Sequence, residues 1–492
     1  MLRDNLKLMK HQQEAVDFAI NNKGIAAFLH DPGTGKTISS LSTFNAFRIA
    51  NPKLHLLVIC PLSLIHGAWT KEIEKYTYFK WHDIHSVKGN HDRIYPPDIF
   101  IANFESLLSA KKHQEIINIL SDGNDYMVVV DESSKMKNPQ AATTEKLLGF
   151  WKKGKYTKGI KDYCKHRILC SGTPAPNTES EYFPQMKFLS DRILGDNFYK
   201  FRNKYFQMHR GKEIVPGAVF NKATLSEMFK SGYKYEFNPA LKNEFFNCLK
   251  PWCHMVKAKD CLDLPEQVDE YRLFEMGGEQ LRVYNEMKTQ YIAEIKHEIK
   301  DKPSDFVVAN IILTKMMKLR QVTGGGVIDE NEKVHFIGKN NPKIDMLLDI
   351  VEECGQEQII IWAQFRFEVE MIVKELYKIG KVSELHGGIP QDDRIKHIDN
   401  FINKDTMFLV AHPKSAGFGL TFVNCRYSVF FSMSYSYEDY EQCRARIHRK
   451  GQIHKCLYFH LIAARSVDEE VLAVCQRKAT SQEVAERFLK SV

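Results

Sequence analysis

Two series of short, unbroken apolar runs constrain this chain more than any other feature. The first series is GIAAFL (24–29), LHLLVIC (54–60), DIFIA (98–102), YMVVV (126–130) and HRILC (166–170). The second is QIIIW (358–362), KVSEL (381–385), TMFLV (406–410), RYSVFF (426–431) and LYFHLI (457–462). Strands that are apolar at consecutive positions suit a sheet covered on both faces, as in parallel sheets flanked by helices. Helix-compatible stretches separate the runs. Between QIIIW and KVSEL, Val369, Ile372, Val373 and Leu376 follow the i, i+3, i+4, i+7 spacing, and Gly380 marks a stop. Alternating strand and helix signals predict an α/β fold with parallel sheets. The middle, 190–335, is rich in Phe, Lys, Tyr and Met, and 278–320 reads as helical. It predicts helical insertions rather than a third sheet.

Composition sets the bounds. The 492 residues allow about three units of ordinary domain size, with ample chain to bury cores. None of the 11 cysteines forms a C-x-x-C pair, so they read as small buried hydrophobes rather than a zinc or redox site. No apolar run reaches the roughly 18 residues of a membrane span. The N-terminus lacks a signal-peptide pattern. A cytoplasmic location is expected (host cytoplasm for a viral chain), with no membrane partner. The formal net charge of +8 permits a nucleic-acid partner without demanding one. Charge is clumped at 152–167, with seven Lys/Arg against one Asp, and Tyr156 and Tyr163 among them. That run reads either as a solvated basic loop or as a phosphate-contacting one.

HDPGTGKTISS (30–40) follows one strand-like run and opens a helix-like stretch, the context of a phosphate-binding loop. Gly33 and Gly35, with Thr34 between them, let backbone N–H groups turn towards phosphate oxygens. Lys36 is placed for the β- and γ-phosphates, and the Thr37 hydroxyl for Mg²⁺. His30 stands where the general pattern has its first Gly. YMVVVDESSKMKN (126–138) ends a buried strand in two carboxylates. Asp131 is the candidate Mg²⁺ partner and Glu132 the candidate that deprotonates the attacking water. Alone, such a pair reads as a solvated loop or helix cap. With the phosphate loop it points to hydrolysis of a nucleoside triphosphate.

The remaining motifs and their order resemble the Swi/Snf-like ATPases of helicase superfamily 2. LKLMKHQQEAVDF (6–18) is similar to that family's adenine-reading opening, with Gln12 at the glutamine position. VICPLSLIHGAWTKEI (58–73), IFIANFESL (99–107), DESSKMKN (131–138) and LCSGTPAPN (169–177) follow in order. WCHMVKAKDCLDLPEQ (252–267) resembles the basic stretch between lobes; LRQVTGG (319–325) and NPKIDML (341–347) match more weakly. IIIWAQFRFEVEMI (359–372), LHGGIPQDDRIKHIDNF (385–401), FLVAHPKSAGFGLTF (408–422) and YEQCRARIHRKGQ (440–452) complete the set.

The resemblance implies two tandem RecA-like lobes with helical protrusions inserted between the core motifs. The expected boundaries are an ATP-binding lobe at 1–190, its protrusion at 191–262, a linker and second protrusion at 263–335, and the second lobe at 336–492. It implies ATP with Mg²⁺ in the cleft between lobes and duplex DNA across both. Arg446 and Arg449, three apart on an expected helix, are implied as the guanidinium groups that meet charge on the γ-phosphoryl oxygens. Ser171, Gly172, Thr173 and Gln442 are implied in coupling, and Gly417 and Gly419 near the nucleotide. The DNA-tracking positions implied are Pro61, Leu62, Ser63, Asn103, Ser106, Gln364, Phe365, Lys414 and Ser415. Lys152, Lys153 and Lys155 join them as the start of the basic run, which lies where this chain has extra residues between its second and third lobe-one motifs. Ser133-Ser134 replaces the family's usual His after Asp-Glu, a change expected to weaken coupling between ATP and DNA.

The expected activity is an ATP-driven translocase on double-stranded DNA that remodels DNA or protein–DNA complexes. A strand-separating DNA or RNA helicase is the alternative within the class; no wedge hairpin is evident in the sequence. An inactive, nucleotide-gated DNA-binding subunit is the alternative of another class, opposed by the intact Lys36, Glu132, Arg446 and Arg449. The residues outside the motifs leave no expected room for a chromatin reader, nuclease or zinc domain. Specificity is therefore expected from the insertions or from a protein partner, with the chain acting as a monomer or as a subunit of a larger assembly. The compact form suggests a bacterial, archaeal or viral source.

Overall fold

A computed structural model describes residues 1–4, 6–86, 88–90, 97–152, 154–210, 233–300, 305–415 and 420–490. The chain divides into two compact units, one principally Met1–Gln207 with Phe237–Asp263, the other principally Leu264–Thr480.

The first unit is built on an eight-stranded sheet. Its strands are β1 (Ile25–His30), β2 (Leu54–Cys60), β3 (Trp81–Asp83), β4 (Lys88–Gly89), β5 (Ile99–Asn103) and β6 (Asp125–Asp131). A separate antiparallel hairpin follows, β7 (Phe150–Lys152) with β8 (Lys155–Thr157). The sheet is completed by β9 (His166–Ser171) and β10 (Cys253–Val256). The order is β10-β1-β9-β6-β2-β5-β3-β4, and only the β3–β4 pair is antiparallel. Every residue of β2 and β5 is buried, as a sheet covered on both faces requires. All five apolar runs of the first series are strands here.

The second unit holds a six-stranded parallel sheet of β11 (Gln267–Phe274), β12 (Ile359–Trp362), β13 (Val382–Leu385), β14 (Phe408–Ala411), β15 (Tyr427–Phe430) and β16 (Cys456–Ala463). Its order is β11-β16-β15-β12-β14-β13. Because successive side chains point to opposite faces, the unbroken apolar runs fill two cores at once. Ile359, Ile361, Val410 and Val429 face one, and Ile360, Trp362, Leu409 and Phe430 the other. The helix expected after QIIIW spans Arg366–Leu376, with Val369, Ile372 and Leu376 fully buried. The middle helices are Gly278–Lys300 and Asp305–Thr323, and Tyr284, Leu319 and Val322 pack with Phe274 and Val467.

One buried ion pair ties this unit together. Lys343 is fully buried, and its Nζ lies 3.0 Å from Asp468 Oδ2 and over the rings of Phe274 and Phe431. Asp468 also accepts from Thr323 Oγ1 at 2.9 Å. The weakly matching NPKIDML motif thus serves packing in this fold.

Two edge strands fall in segments read from sequence as insertions or linker: β10 pairs with β1, and β11 with β16. The basic run also differs from the loop expected, because β7 and β8 form a hairpin at its start. The run is not one surface. Lys161 is buried and ion-paired to Asp191 at 2.8 Å, and Lys165 lies 3.8 Å from Asp125. All eleven cysteines are free; Cys248 and Cys261 are half-buried and the rest buried. Burial pushes the Cys164 and Cys253 thiols up to about 12, as inert packing groups. No described helix is long and apolar enough to cross a membrane.

Candidate functional site

Strands β1, β9 and β6 are neighbours, so the loops leaving their carboxyl ends lie side by side. Register pairs Leu29 with Ser171 and Asp131 with Cys170. The phosphate loop, the Ser171–Thr173 segment and the Asp131–Glu132 pair therefore share one sheet edge.

The loop after β1 turns on two glycines in the left-handed region, Gly33 at φ 84° and Gly35 at φ 90°. Gly35 caps the helix Lys36–Ala50. A Cβ at Gly35 would fall 2.3 Å from Gln12 Nε2, so close approach as well as φ demands glycine. Lys36 Nζ donates to His30 O at 2.8 Å, and Thr34 Oγ1 to Asp31 O at 2.8 Å. Thr37 sits buried in the first turn of that helix. Gln12, expected at adenine, is buried: its Nε2 donates to Thr34 O at 3.1 Å, and its Oε1 accepts from Met9 N at 3.0 Å. His11 Nε2 meets the same Thr34 carbonyl at 2.8 Å. The opening motif is thus bonded directly to the phosphate loop.

The His-Asp-Pro lead-in has its own anchors. His30 is fully buried and its Nε2 lies 2.9 Å from His254 Nδ1 on β10. Burial, aided by His254, Lys36 and His11, holds the His30 imidazole well below its ordinary pKa, and burial lowers His254 too. Both rings are therefore neutral at pH 7, one donating and the other accepting. Asp31 pairs with Lys257 at 3.1 Å and accepts from Ala258 N at 3.1 Å. These contacts were invisible in the local sequence.

Asp131 is buried at the end of β6. Trp69 Nε1 donates to its Oδ2 and the Glu132 amide to its Oδ1, both at 3.0 Å. Burial pushes the Asp131 carboxyl up, while Lys36 and those two donors pull it down. Glu132 takes a left-handed backbone, φ 53° and ψ 55°, which is costly for a residue with a side chain and recurs at functional sites. Ser133 Oγ donates to Gln185 Oε1 at 2.7 Å, and Gln185 Nε2 donates to Pro174 O at 2.5 Å and Glu181 O at 2.9 Å. Gln185, which the motif reading missed, therefore links the segment after Asp-Glu to the segment after β9. Within that second segment Thr173 N donates to Ser171 Oγ at 3.1 Å. A Cβ on Gly172 would meet Pro32 Cδ at 3.1 Å.

In the second unit, Arg446 and Arg449 converge on one carbonyl. Each donates through Nη1 to Leu420 O, at 2.8 and 3.1 Å, and Arg449 Nη1 also reaches Thr421 Oγ1 at 2.9 Å. The helix expected to carry them ends earlier, at Arg444; Gln442 is buried on it. This corrects the helical expectation: the turn bonded from Arg446 N to Cys443 O, not helical spacing, sets both arginines to one side. Gly417 and Gly419 lie outside the described residues.

The positions expected at nucleic acid divide. Leu62, Ser63, Lys152, Lys155 and Lys414 are exposed, Gln364, Phe365 and Ser415 are half-buried, and Pro61 is buried. Lys153 lies outside the described residues. Asn103 and Ser106 are buried, and the Asn103 side chain caps the turn Phe104–Leu107 by accepting from Ser106 N at 3.0 Å. The Gln364 and Phe365 amides both donate to Glu368 Oε2 at 3.1 Å, which fixes the loop after β12.

A family model described as the SNF2-related domain matches residues 11–324, and one described as the helicase conserved C-terminal domain matches 342–451. Among curated proteins, a SWI/SNF-related matrix-associated actin-dependent regulator of chromatin subfamily A-like protein 1 homolog from Caenorhabditis elegans is 23% identical over 96% of this chain and 61% of its own length. The DNA annealing helicase and endonuclease ZRANB3 of Mus musculus is 22% identical over 96% of this chain and 40% of its own length. The chain thus spans less than two thirds of each of these relatives. Among solved structures, the Sulfolobus solfataricus SWI2/SNF2 ATPase core in complex with dsDNA is 20% identical, with a TM-score of 0.41, covering 98% of this chain and 97% of that one.

Proposed function

This chain belongs to the SNF2-related domain family, an ATP-hydrolysing branch of helicase superfamily 2, and on that premise we propose that it is a translocase on double-stranded DNA that remodels DNA or protein–DNA complexes. The observation that carries the reading is the shared edge of β1, β9 and β6, which brings a lysine-bearing phosphate loop beside a buried Asp and a conformationally strained Glu.

In this reading Lys36 and the N–H groups around Gly33, Thr34 and Gly35 hold the β- and γ-phosphates. The donor set suits Mg²⁺: one hydroxyl, Thr37, and one buried carboxylate, Asp131, leave the remaining ligands to phosphate and water. Bound there, Mg²⁺ would neutralise charge on the phosphate oxygens. Glu132 takes the proton of the attacking water. Arg446 and Arg449 meet the charge that builds on the γ-phosphoryl oxygens. Gln12 positions the loop through Thr34 and reads the base with its remaining N–H. Ser171, Gly172, Thr173 and Gln442 report nucleotide state.

Contacts to DNA are assigned to exposed Ser63, Lys152, Lys155 and Lys414 and the loop bearing Gln364 and Phe365. They go to phosphate and sugar, since a motor must step along any sequence. The test is displacement of a third strand from a duplex. The intact chain should displace it with ATP, and Lys36→Ala should not. DNA-stimulated hydrolysis without displacement would refute translocation.

A further inference from the structure

The hairpin of β7 and β8 carries an aromatic face that the duplex-tracking scheme leaves unused. Trp151 pairs directly across from Tyr156, so both rings lie on one face, with centroids 5.4 Å apart. Trp151 is 73% exposed, the most exposed tryptophan or phenylalanine among the described large hydrophobics. On the other face Lys152 stands directly opposite Lys155. Like charges opposite each other in an antiparallel pair are destabilising, and an anion between them relieves the cost.

The hairpin is held firmly at its base. Tyr156 Oη donates to Asp162 Oδ2 at 2.7 Å, and the same oxygen accepts from Gly159 N at 2.9 Å. Gly149 and Gly159 cross so closely that a Cβ on Gly159 would lie 2.0 Å from Gly149 N. A braced hairpin that presents a bare indole on one side and two ammonium groups on the other matches a nucleotide strand whose base face is open and whose phosphates run alongside. In continuous duplex every base face is covered by its neighbours. An open face exists only at an end, a gap or a branch.

We propose that this hairpin binds DNA where a base face is exposed, Trp151 stacking on the base while Lys152 and Lys155 hold the adjoining phosphates. The site gives the translocase a preference for branched or broken duplex. The inference rests on the DNA reading above, and its test separates the two.

Binding to a forked duplex and to a covalently closed duplex circle is measured for the intact chain, Trp151→Ala and Trp151→Phe, with ATP turnover on the circle measured in parallel. Stacking on one base makes the expected loss for Trp151→Ala on the fork about tenfold or more. That loss is confined to the fork, and Trp151→Phe recovers most of it. Equal affinity of Trp151→Ala and the intact chain for the fork would overturn the proposal. So would an equal loss on the circle, which would make Trp151 a general or structural contact. If the circle fails to stimulate even the intact chain, the duplex reading falls, while the fork measurements still decide the role of Trp151.

Discussion

The Ser133 hydroxyl donates to Gln185 Oε1 at 2.7 Å, and through Gln185 Nε2 it is joined to the Pro174 carbonyl. This bridge stands where the family's usual histidine is missing, and it joins the strand end that carries Glu132 to the segment after β9. Gln185→Leu would take this partner from the Ser133 hydroxyl and the Pro174 carbonyl. The expected cost is about 1–3 kcal/mol of stability, seen as a lower denaturant midpoint. DNA-stimulated ATP turnover should fall more than DNA-free turnover; an equal fall would deny the bridge any coupling role.

Glu132→Gln keeps the shape of the residue and removes the base. Nucleotide binding should persist while turnover falls at least about 10²-fold. Near-normal turnover would take the water-activating role away from Glu132.

The buried imidazole pair predicts acid sensitivity. His30 and His254 have folded pKa values below the ordinary 6.5, chiefly through burial. Above 6.5 both rings are neutral folded or unfolded, and they add no pH dependence. As pH falls below 6.5 the unfolded chain takes up protons first, so stability declines until the folded pair protonates. Denaturant midpoints between pH 7 and 5 should drop, and His30→Gln should flatten the slope. An unchanged slope would locate the acid sensitivity elsewhere.

Lys343 has no water to fall back on. Lys343→Ala removes the ammonium group paired with Asp468, and breaking a buried pair in this way costs about 3–5 kcal/mol. Thermal unfolding of the variant should be clearly lowered, whereas a shift as small as that of a surface mutant would contradict the role given to this pair.

Neutralising Lys152 and Lys155 together should weaken DNA binding and reduce the slope of log affinity against log salt by about two contacts' worth. An unchanged slope would return the hairpin lysines to solvent.

The parallel strands were legible because burial on both faces leaves an unmistakable apolar run, as in LHLLVIC and QIIIW. The edge strand β11 was not, since QVDEYRLF buries only Phe274 and mixes three charges among its apolar residues. The three-residue strands β7 and β8 were hidden among lysines. In the site, Gly33 to Thr37 and Asp131-Glu132 could be read from spacing alone. His254 could not, because it reaches His30 from 224 residues away through the register of β1 with β10. Gln185 was equally silent: a lone Gln among the apolar residues of the helix Tyr182–Leu189 shows its partners only once that helix is packed.

The most direct test of the central claim is steady-state ATP turnover at fixed salt with duplexes of increasing length, single-stranded DNA, RNA or no nucleic acid. A translocase on duplex DNA predicts strong stimulation that grows with duplex length. Stimulation by single strands or RNA but not by duplex would contradict it, and would leave only the fold and the ATP site standing.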